Sequence, residues 1–314
     1  MTKNSILVVG SSNTDMIIKM ERIPKPGETI IGGKFASAAG GKGANQAVGA
    51  ARAGGAVTLI ARVGQDMFGD NAVAGFVADG INVNYVLRDR TSPSGVALIF
   101  VGQNGENSIA VASGANAKLT PADVRKARIA FRGAKVVLLQ LETPLATVQA
   151  AAELAEVADA RVILNPAPAR ALPDKLLRRV FLLTPNESEA ELLTGVTVDN
   201  VDGAAKAATV LLARGAQNVI ITMGARGALL AGKNLRQLIP AFKVKAVDTT
   251  AAGDVFNGTL ALALAEGRSL LEAARFASAA AAISVTRMGA QTSAPTRKEI
   301  ERLLAAGNGS AGVN

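Results

Sequence analysis

The segment Asp248-Thr249-Thr250-Ala251-Ala252-Gly253-Asp254 sets two acids at the ends of a run of small residues. Residues 244–247 before it read as a strand, and the alanine-rich stretch 252–265 behind it reads as a helix closed by Gly267. A strand, a small-residue turn and a helix N-terminus together leave backbone N–H groups free at the positive end of a helix dipole, which is an anion site. Charge developing on a phosphoryl group in transfer would be stabilised over Ala251, Ala252 and Gly253, beside Asp254 as acceptor of a proton from an attacking hydroxyl. Aspartate is also a common helix cap. Asp248 nearby supplies more acid than one cap requires.

Three further segments have the residue types for ligand binding. Gly40-Gly41-Lys42-Gly43-Ala44-Asn45 opens a helix and joins backbone freedom to a lysine and an amide, either as a ligand-approaching turn or as a plain helix-initiating loop. Asn186 and Glu189 follow Pro185 and share one face of a first helical turn, where they would order water around a magnesium nucleotide or simply cap the helix. Thr222-Met223-Gly224-Ala225-Arg226-Gly227 follows a predicted strand and offers a nucleotide turn, although a strand-connecting turn explains it as well. No glycine-lysine pair is followed by Ser or Thr in Walker A spacing, and Gly10-Ser11-Ser12 lacks the later glycines of a dinucleotide fingerprint.

Composition narrows the chemistry. The chain of 314 residues has no cysteine and no histidine, which removes thiolate nucleophiles, disulfides, the commonest general base and the commonest transition-metal ligand. Acid–base work falls to carboxylates, lysines or the single Tyr85, and any metal should be a hard, oxygen-bound cation. A net charge of +9 suits an anionic ligand, yet the basic residues are dispersed. Arg125, Arg128 and Arg132 share one predicted helical face, but aromatics are only 3% and give no stacking platform, so a solvated face is expected and no nucleic-acid partner. No apolar run is long enough for a membrane span or a signal peptide, and a cytoplasmic protein with no membrane partner is expected.

The elements that must position these residues alternate along the chain. Near-continuous apolar runs at 6–10, 57–63, 136–140, 162–165, 181–184 and 219–222 are separated by helical stretches at 121–131, 144–158, 201–213, 252–265 and 270–285. That rhythm predicts a three-layer α/β/α fold around a mostly parallel sheet. Residues 96–111 read as a hairpin about Asn104-Gly105, and 15–35 as a second strand pair about Pro24, Pro26 and Gly27. The two would make a small β-sheet lid, or else are surface decoration. A single domain is expected over 1–306, with a disordered Gly- and Ser-rich tail at 307–314.

Taken together, these segments resemble the ribokinase/PfkB family of carbohydrate kinases. The likeness runs over about residues 4–306 and is carried, in order, by 10–15, 40–45, 165–170, 184–187, 248–254 and Thr286-Arg287-Met288-Gly289-Ala290-Gln291. It implies ATP-dependent phosphorylation of D-ribose at the 5-hydroxyl, with Asp254 as base and 251–254 as anion hole. By resemblance, Asn13, Asp15, Gly41, Lys42, Gly43, Asn45 and Glu142 would hold the sugar. Asn186, Thr222, Gly224, Ala225, Arg226, Gly227 and Gly253 would meet ATP, with Glu189 near Mg2+. Ser278 would lie near the adenine, where some relatives carry histidine. Asp248, Thr250, Ser284, Arg287, Gly289 and Ser293 match a K+ site, several through backbone carbonyls. Lids in this family often pair between subunits, which implies a homodimer. Competing expectations are a kinase for another neutral sugar such as 2-deoxyribose, or a silent sugar-binding regulator of the same fold. Two pocket carboxylates, Asp15 and Glu142, favour a neutral sugar over a phosphorylated one.

Overall fold

Strands that are apolar along their whole length can be buried on both faces, and those of this chain are. The computed structural model describes residues 5–308. Its strands are β1 (Ser5–Val9), β2 (Asn13–Lys19), β3 (Lys34–Gly40), β4 (Ala56–Gly64), β5 (Asn82–Asp89), β6 (Gly95–Val101), β7 (Asn107–Ala112), β8 (Val136–Leu139), β9 (Arg161–Leu164), β10 (Leu182–Leu183), β11 (Asn218–Thr222), β12 (Ala228–Gly232) and β13 (Leu235–Ile239). Its helices are α1 (Lys42–Arg52), α2 (Met67–Ala78), α3 (Pro121–Lys126), α4 (Arg128–Phe131), α5 (Leu145–Val157), α6 (Asp174–Leu177), α7 (Glu187–Thr194), α8 (Val201–Ala213), α9 (Ala252–Ala265), α10 (Leu270–Ser284) and α11 (Arg297–Asn308).

A nine-stranded sheet runs in the order β13-β12-β11-β10-β9-β8-β1-β4-β5. The strands from β11 to β5 are parallel, and β12 and β13 add an antiparallel hairpin at one edge. Alternation along β1 shows the layering: Leu7 and Val9 enter one core with residues of α5 and α8, while Ile6 and Val8 enter the other with residues of α1, α9 and α10. From β1 the chain goes to β4 and β5 on one side and returns to β8 on the other. The strand order therefore reverses between β1 and β8, and the crevice at the carboxyl ends of those two strands is where such sheets bind ligands.

A second, four-stranded sheet has the order β3-β2-β6-β7. The hairpin expected at 96–111 forms as β6 with β7; the pair expected within 15–35 forms as β2 with β3, but its second strand lies at Lys34–Gly40, beyond the expected range, and a parallel β2–β6 pairing joins the two. Asp15, Ala97 and Val111 stand in register across it.

Several expectations need correcting. Residues 244–247 are not a strand; residues 243–247 are exposed, and the N–H groups of Val247 and Asp248 both donate to the Val285 carbonyl at the end of α10. β-favouring residues form a strand only where an edge pairs with them, and here, among the described residues, none does. The arginine face at 121–132 is interrupted at Ala127, which separates α3 from α4, so the three guanidinium groups do not share one helix. Gly307 and Asn308 extend α11, and the remainder of the expected tail lies outside the described residues.

Close approach of α1 and α9 decides where the site forms. A Cβ on Gly258 would lie 2.2 Å from the carbonyl oxygen of Gln46, and one on Gly49 would touch the Cα of Val255 at 3.4 Å. Helix backbones come this near only where small residues line the contact. Gly258→Ala is expected to force α9 off α1 and to lower stability by about 1–3 kcal/mol, measured as a fall in the urea midpoint.

Candidate active site

Asp254 is the third residue of α9, and its side chain does not cap that helix; the N-cap is Ala251, in the left-handed region at φ 58° with no side-chain cap bond. Both carboxylate oxygens turn instead to α1. Oδ2 accepts from Asn45 Nδ2 and Oδ1 from Gln46 Nε2, each at 3.0 Å. The carboxylate is 6% exposed. Burial pushes its pKa up, against the pull of Lys42, Asn45 and Gln46, and Glu142 adds to the rise. Of the expected anion hole, the Ala252 N–H is already taken by the Thr249 carbonyl at 3.3 Å, while among the described residues the N–H groups of Gly253 and Asp254 at the positive end of α9 have no acceptor.

The glycine turn before α1 meets the loop after β1. Gly41 has φ 88°, and a Cβ there would lie 2.6 Å from the Asn13 nitrogen, so the turn admits only glycine. Glu142, just beyond β8, accepts from Ser11 Oγ at 2.5 Å and from the Lys42 N–H at 2.9 Å. This closes the crevice between β1 and β8. Asp15 on β2 lies over Gly40, whose Cβ would meet its Oδ1 at 2.3 Å. Asn13 accepts at Oδ1 from Asn116 Nδ2 at 2.7 Å, and Asn116 also holds both backbone groups of Ser12.

Four carboxylates act electrostatically on the Lys42 ammonium. Burial disfavours the charge on Lys42, but Asp254, Glu142, Glu189 and Asp15 together outweigh it and hold its pKa above the ordinary lysine value. Asp15 rises from 3.8 to about 6, through burial first and then Glu142 and Asp254, with Lys42 opposing. Glu189 is also raised, mainly by burial.

The expected nucleotide residues fall together at the carboxyl ends of β10 and β11. Asn186 bridges Thr222 in parallel register, and the Thr222 N–H donates to the Pro185 carbonyl at 3.0 Å. Asn186 and Glu189 form a reciprocal capping box, so the structural alternative raised from the sequence is present. Arg226 pairs with Glu187 across the turn containing Gly224, Ala225 and Gly227. Ser278, half-buried on α10, joins none of these hydrogen bonds.

Asp248 is tied to both loops beside the site. Its Oδ1 accepts from the Thr250 N–H at 2.9 Å and its Oδ2 from the Gly289 N–H at 2.8 Å. Burial alone would raise its pKa, but bonds from Thr250 and Gly289 hold it below the usual value. Ser284 and Ser293 donate their hydroxyl protons to the carbonyls of Ala281 and Ala290 at 2.8 and 2.7 Å. Arg287 pairs with Glu299. Of these bonds only that between Asp248 and Gly289 links the two segments; the serine bonds are local, and carboxylate, hydroxyl and carbonyl oxygens are the types a hard cation takes.

Sequence reading assigned no role to Gln46, Asn116, Gln140 or Asn257, and none to the side chains of Ser11, Asn165 or Thr184, all buried. One signal was present: a polar residue closing an apolar strand, as Gln140 closes β8 and Asn165 closes β9, sits where parallel sheets keep their chemistry.

The Asp15 shift gives a pH dependence with a defined sign. The folded carboxyl binds its proton near pH 6 and the unfolded one near 3.8, so this contribution is fully present below 3.8 and lost as pH rises through 6. Asp15→Asn is expected to melt higher than the native chain above pH 6, by on the order of 2 kcal/mol, with the gap closing near pH 4. Thermal melts of the two proteins without ligand, across that range, check it.

Comparison with known proteins agrees with this geometry. Residues 3–297 match the family model described as pfkB family carbohydrate kinase. The chain is 46% identical over 302 residues to the ribokinase of Haemophilus influenzae, covering 96% of this chain and 99% of that protein. It is 40% identical over 300 residues to the deoxyribokinase of Salmonella typhi, covering 95% and 98%. The structure of Arabidopsis thaliana ribokinase complexed with ribose and ATP superposes with a TM-score of 0.89 at 34% identity, covering 96% of this chain and 99% of that one. A carboxylate held at an open helix N-terminus, within a crevice of a nine-stranded α/β sheet beside a small second sheet, is thus accounted for by descent: this chain belongs to the pfkB family of carbohydrate kinases.

Proposed function

We propose that the chain transfers the γ-phosphoryl group of ATP to the 5-hydroxyl of D-ribose, giving D-ribose 5-phosphate and ADP, with Asp254 as the base. The observation that carries this reading is the Asp254 carboxylate, buried, raised in pKa and set beside two unpartnered backbone N–H donors at the start of α9. Asp254 takes the hydroxyl proton as the sugar oxygen bonds to phosphorus, the bond from phosphorus to the bridging oxygen breaks, and ADP leaves. The N–H groups of Gly253 and Asp254 receive the negative charge as it moves.

On this reading Asn13, Asp15, Gly41, Lys42, Gly43, Asn45 and Glu142 hold the sugar. Asn45 Oδ1 is buried and has no partner, which suits an acceptor waiting for a hydroxyl proton. Asp15 and Glu142 are further hydroxyl acceptors and repel an already phosphorylated sugar. Asn186, Thr222, Gly224, Ala225, Arg226, Gly227, Gly253 and Ser278 face ATP.

Among the described residues no group of three or more acidic side chains is placed to hold a metal by itself. That fits Mg2+ carried in on the phosphates, with Glu189 Oε1, which lies outside the capping box, ordering its water. Mg2+ would neutralise charge on the transferring group. Potassium fits the Asp248, Thr250, Ser284, Arg287, Gly289 and Ser293 loops, where it would stiffen the turn leading to Asp254. These partners are abundant in the cytoplasm, where we place the protein. Among the described residues no helix is long and apolar enough to cross a membrane.

Residues 5–308 act on this reading as one catalytic unit with the four-stranded sheet as its lid. Ile109 and Val111 are 55% and 52% exposed on the Asp15 face of that sheet, and a second lid would cover them in a homodimer. Val111→Lys should then convert a dimer into a monomer in sedimentation.

A 2-deoxyribose preference is the second reading, since a deoxyribokinase stands at 40% identity. ADP release on ribose, 2-deoxyribose and fructose, with potassium and then with tetramethylammonium, separates these. Turnover is expected to be highest on ribose and to fall without potassium. Asp254→Asn should cut turnover by roughly 10²- to 10⁴-fold while ribose still binds in calorimetry. Undiminished turnover in that variant removes the base assignment, and absence of turnover on any sugar leaves the regulator.

A further inference from the structure

We infer that Gln46 is a positioning residue for this reaction, holding the Asp254 carboxylate in one orientation through a buried relay of amides that ends on the backbone of the anion-binding turn. The inference rests on the reading of Asp254 as the base.

From Asp254 to Asn165 each orientation in the relay follows from the one before; beyond Thr184, the Asn257 amide is set by its bond to the Gly253 carbonyl. An ionised carboxylate only accepts, so Gln46 must present Nε2 to Asp254 Oδ1, and it does so at 3.0 Å. Gln46 Oε1 is thereby turned the other way, where it accepts from Gln140 Nε2 at 2.5 Å. The second proton on Gln46 Nε2 goes to Asn165 Oδ1 at 3.1 Å, which turns Asn165 Nδ2 to the Thr184 carbonyl at 3.1 Å. Thr184 Oγ1 donates to Asn257 Oδ1 at 2.6 Å, and Asn257 Nδ2 donates to the carbonyl of Gly253 at 2.8 Å. The relay thus starts on the carboxylate of residue 254 and returns to the backbone of residue 253.

Reversing any one of these amides sets donor against donor or acceptor against acceptor, with little water to repair it. Gln46 and Gln140 are 0% and 1% exposed, and Thr184 and Asn257 both 2%. At the far end Gln140 Oε1 has no partner and lies against Gly10, where a Cβ would come within 2.1 Å. A fully directed network in low dielectric is stiff, and a half-directed one is costly. The relay also joins α1, which carries the proposed sugar residues, to the end of β10 beside Asn186, so the base is held from the sugar side and the nucleotide side at once.

A core role alone would make the same residues matter for folding, so the test must read the base itself. The charged groups facing Asp254 are Lys42 from α1, Glu142 from beyond β8, Asp15 from β2 and Glu189 from α7, and none is altered by a change at Gln46. Gln46→Met keeps the length of the side chain and removes its N–H donation. Loss of a donor to the charged form raises the proton affinity of Asp254 further. The acid limb of kcat should therefore move up by about one pH unit, with kcat lowered on the order of tenfold at neutral pH and the KM for sugar changed by less than about twofold. Gln140→Met, one step further from the base, should move the same limb in the same direction by less, and it decides the matter if Gln46→Met does not fold.

An acid limb that stays at its native position in the folded variant, whatever happens to the melting temperature, overturns the positioning role. Asp254→Asn measured in parallel keeps the two ideas apart. If it is active, the base assignment has failed; if it is inert and the glutamine variants keep the native limb, the relay alone has failed.

Discussion

A carboxylate with an open helix N-terminus at its side must be held by something other than that helix, because a side chain that caps its own N-terminus blocks the donors a phosphoryl group would use. In this chain the holding groups come from α1. Asn45 and Gln46 take one oxygen each of Asp254, and they reach it because glycine on both helices lets α1 and α9 lie backbone to backbone. Every other feature of the site is arranged around that contact. The glycine turn at 40–43 starts α1 at the loop after β1, and Glu142 locks it to the end of β8, where the strand order reverses. The fold thus delivers the sugar side, the base and the anion site to one crevice through three short contacts.

Charge is the second constraint, and it works against stability. Lys42 is set electrostatically against Asp15, Glu142, Glu189 and Asp254, and Asp15 rises to about 6 through burial first, with Glu142 and Asp254 adding to it. A protein selected only for folding has little reason to collect acids this way, and a pocket that must grip several hydroxyls of a neutral sugar has good reason, since ionised carboxylates are pure acceptors. On the proposed reading, bound sugar supplies the donors that the empty pocket lacks.

How much of this was legible in the sequence depended on distance along the chain. The parallel sheet, the hairpin about Asn104-Gly105 and the span of α9 were readable, because each rests on local periodicity or turn chemistry, while the second strand of the pair expected at 15–35 lay further on, at Lys34–Gly40. The N-terminus at Ala252 was marked by small residues and an acid. What could not be read was the partner of that acid: Gln46 and Asp254 are 208 residues apart, and nothing local to either shows that α1 and α9 touch. The run Val244-Lys245-Ala246-Val247 misled for the converse reason, since its valines favour a strand while among the described residues no strand pairs with it. Asn186 and Glu189 remained ambiguous because one spacing serves both a capping box and a ligand-facing turn, and the structure uses it at least for the first.

On the proposed reading, the four-stranded sheet acting as a lid explains why the site can be strongly charged and still selective. Asp15 is the only carboxylate of the four contributed by the small sheet, so a lid that shifts carries one acid toward or away from the other three. Bringing it in unaccompanied concentrates like charge as water is excluded and is opposed. Bringing it in over a neutral polyol converts the same acids into acceptors for hydroxyl protons, which the falling dielectric strengthens. Closure on this reasoning is driven by the sugar, because Asp15 already has its proton affinity raised by burial first and then by Glu142 and Asp254.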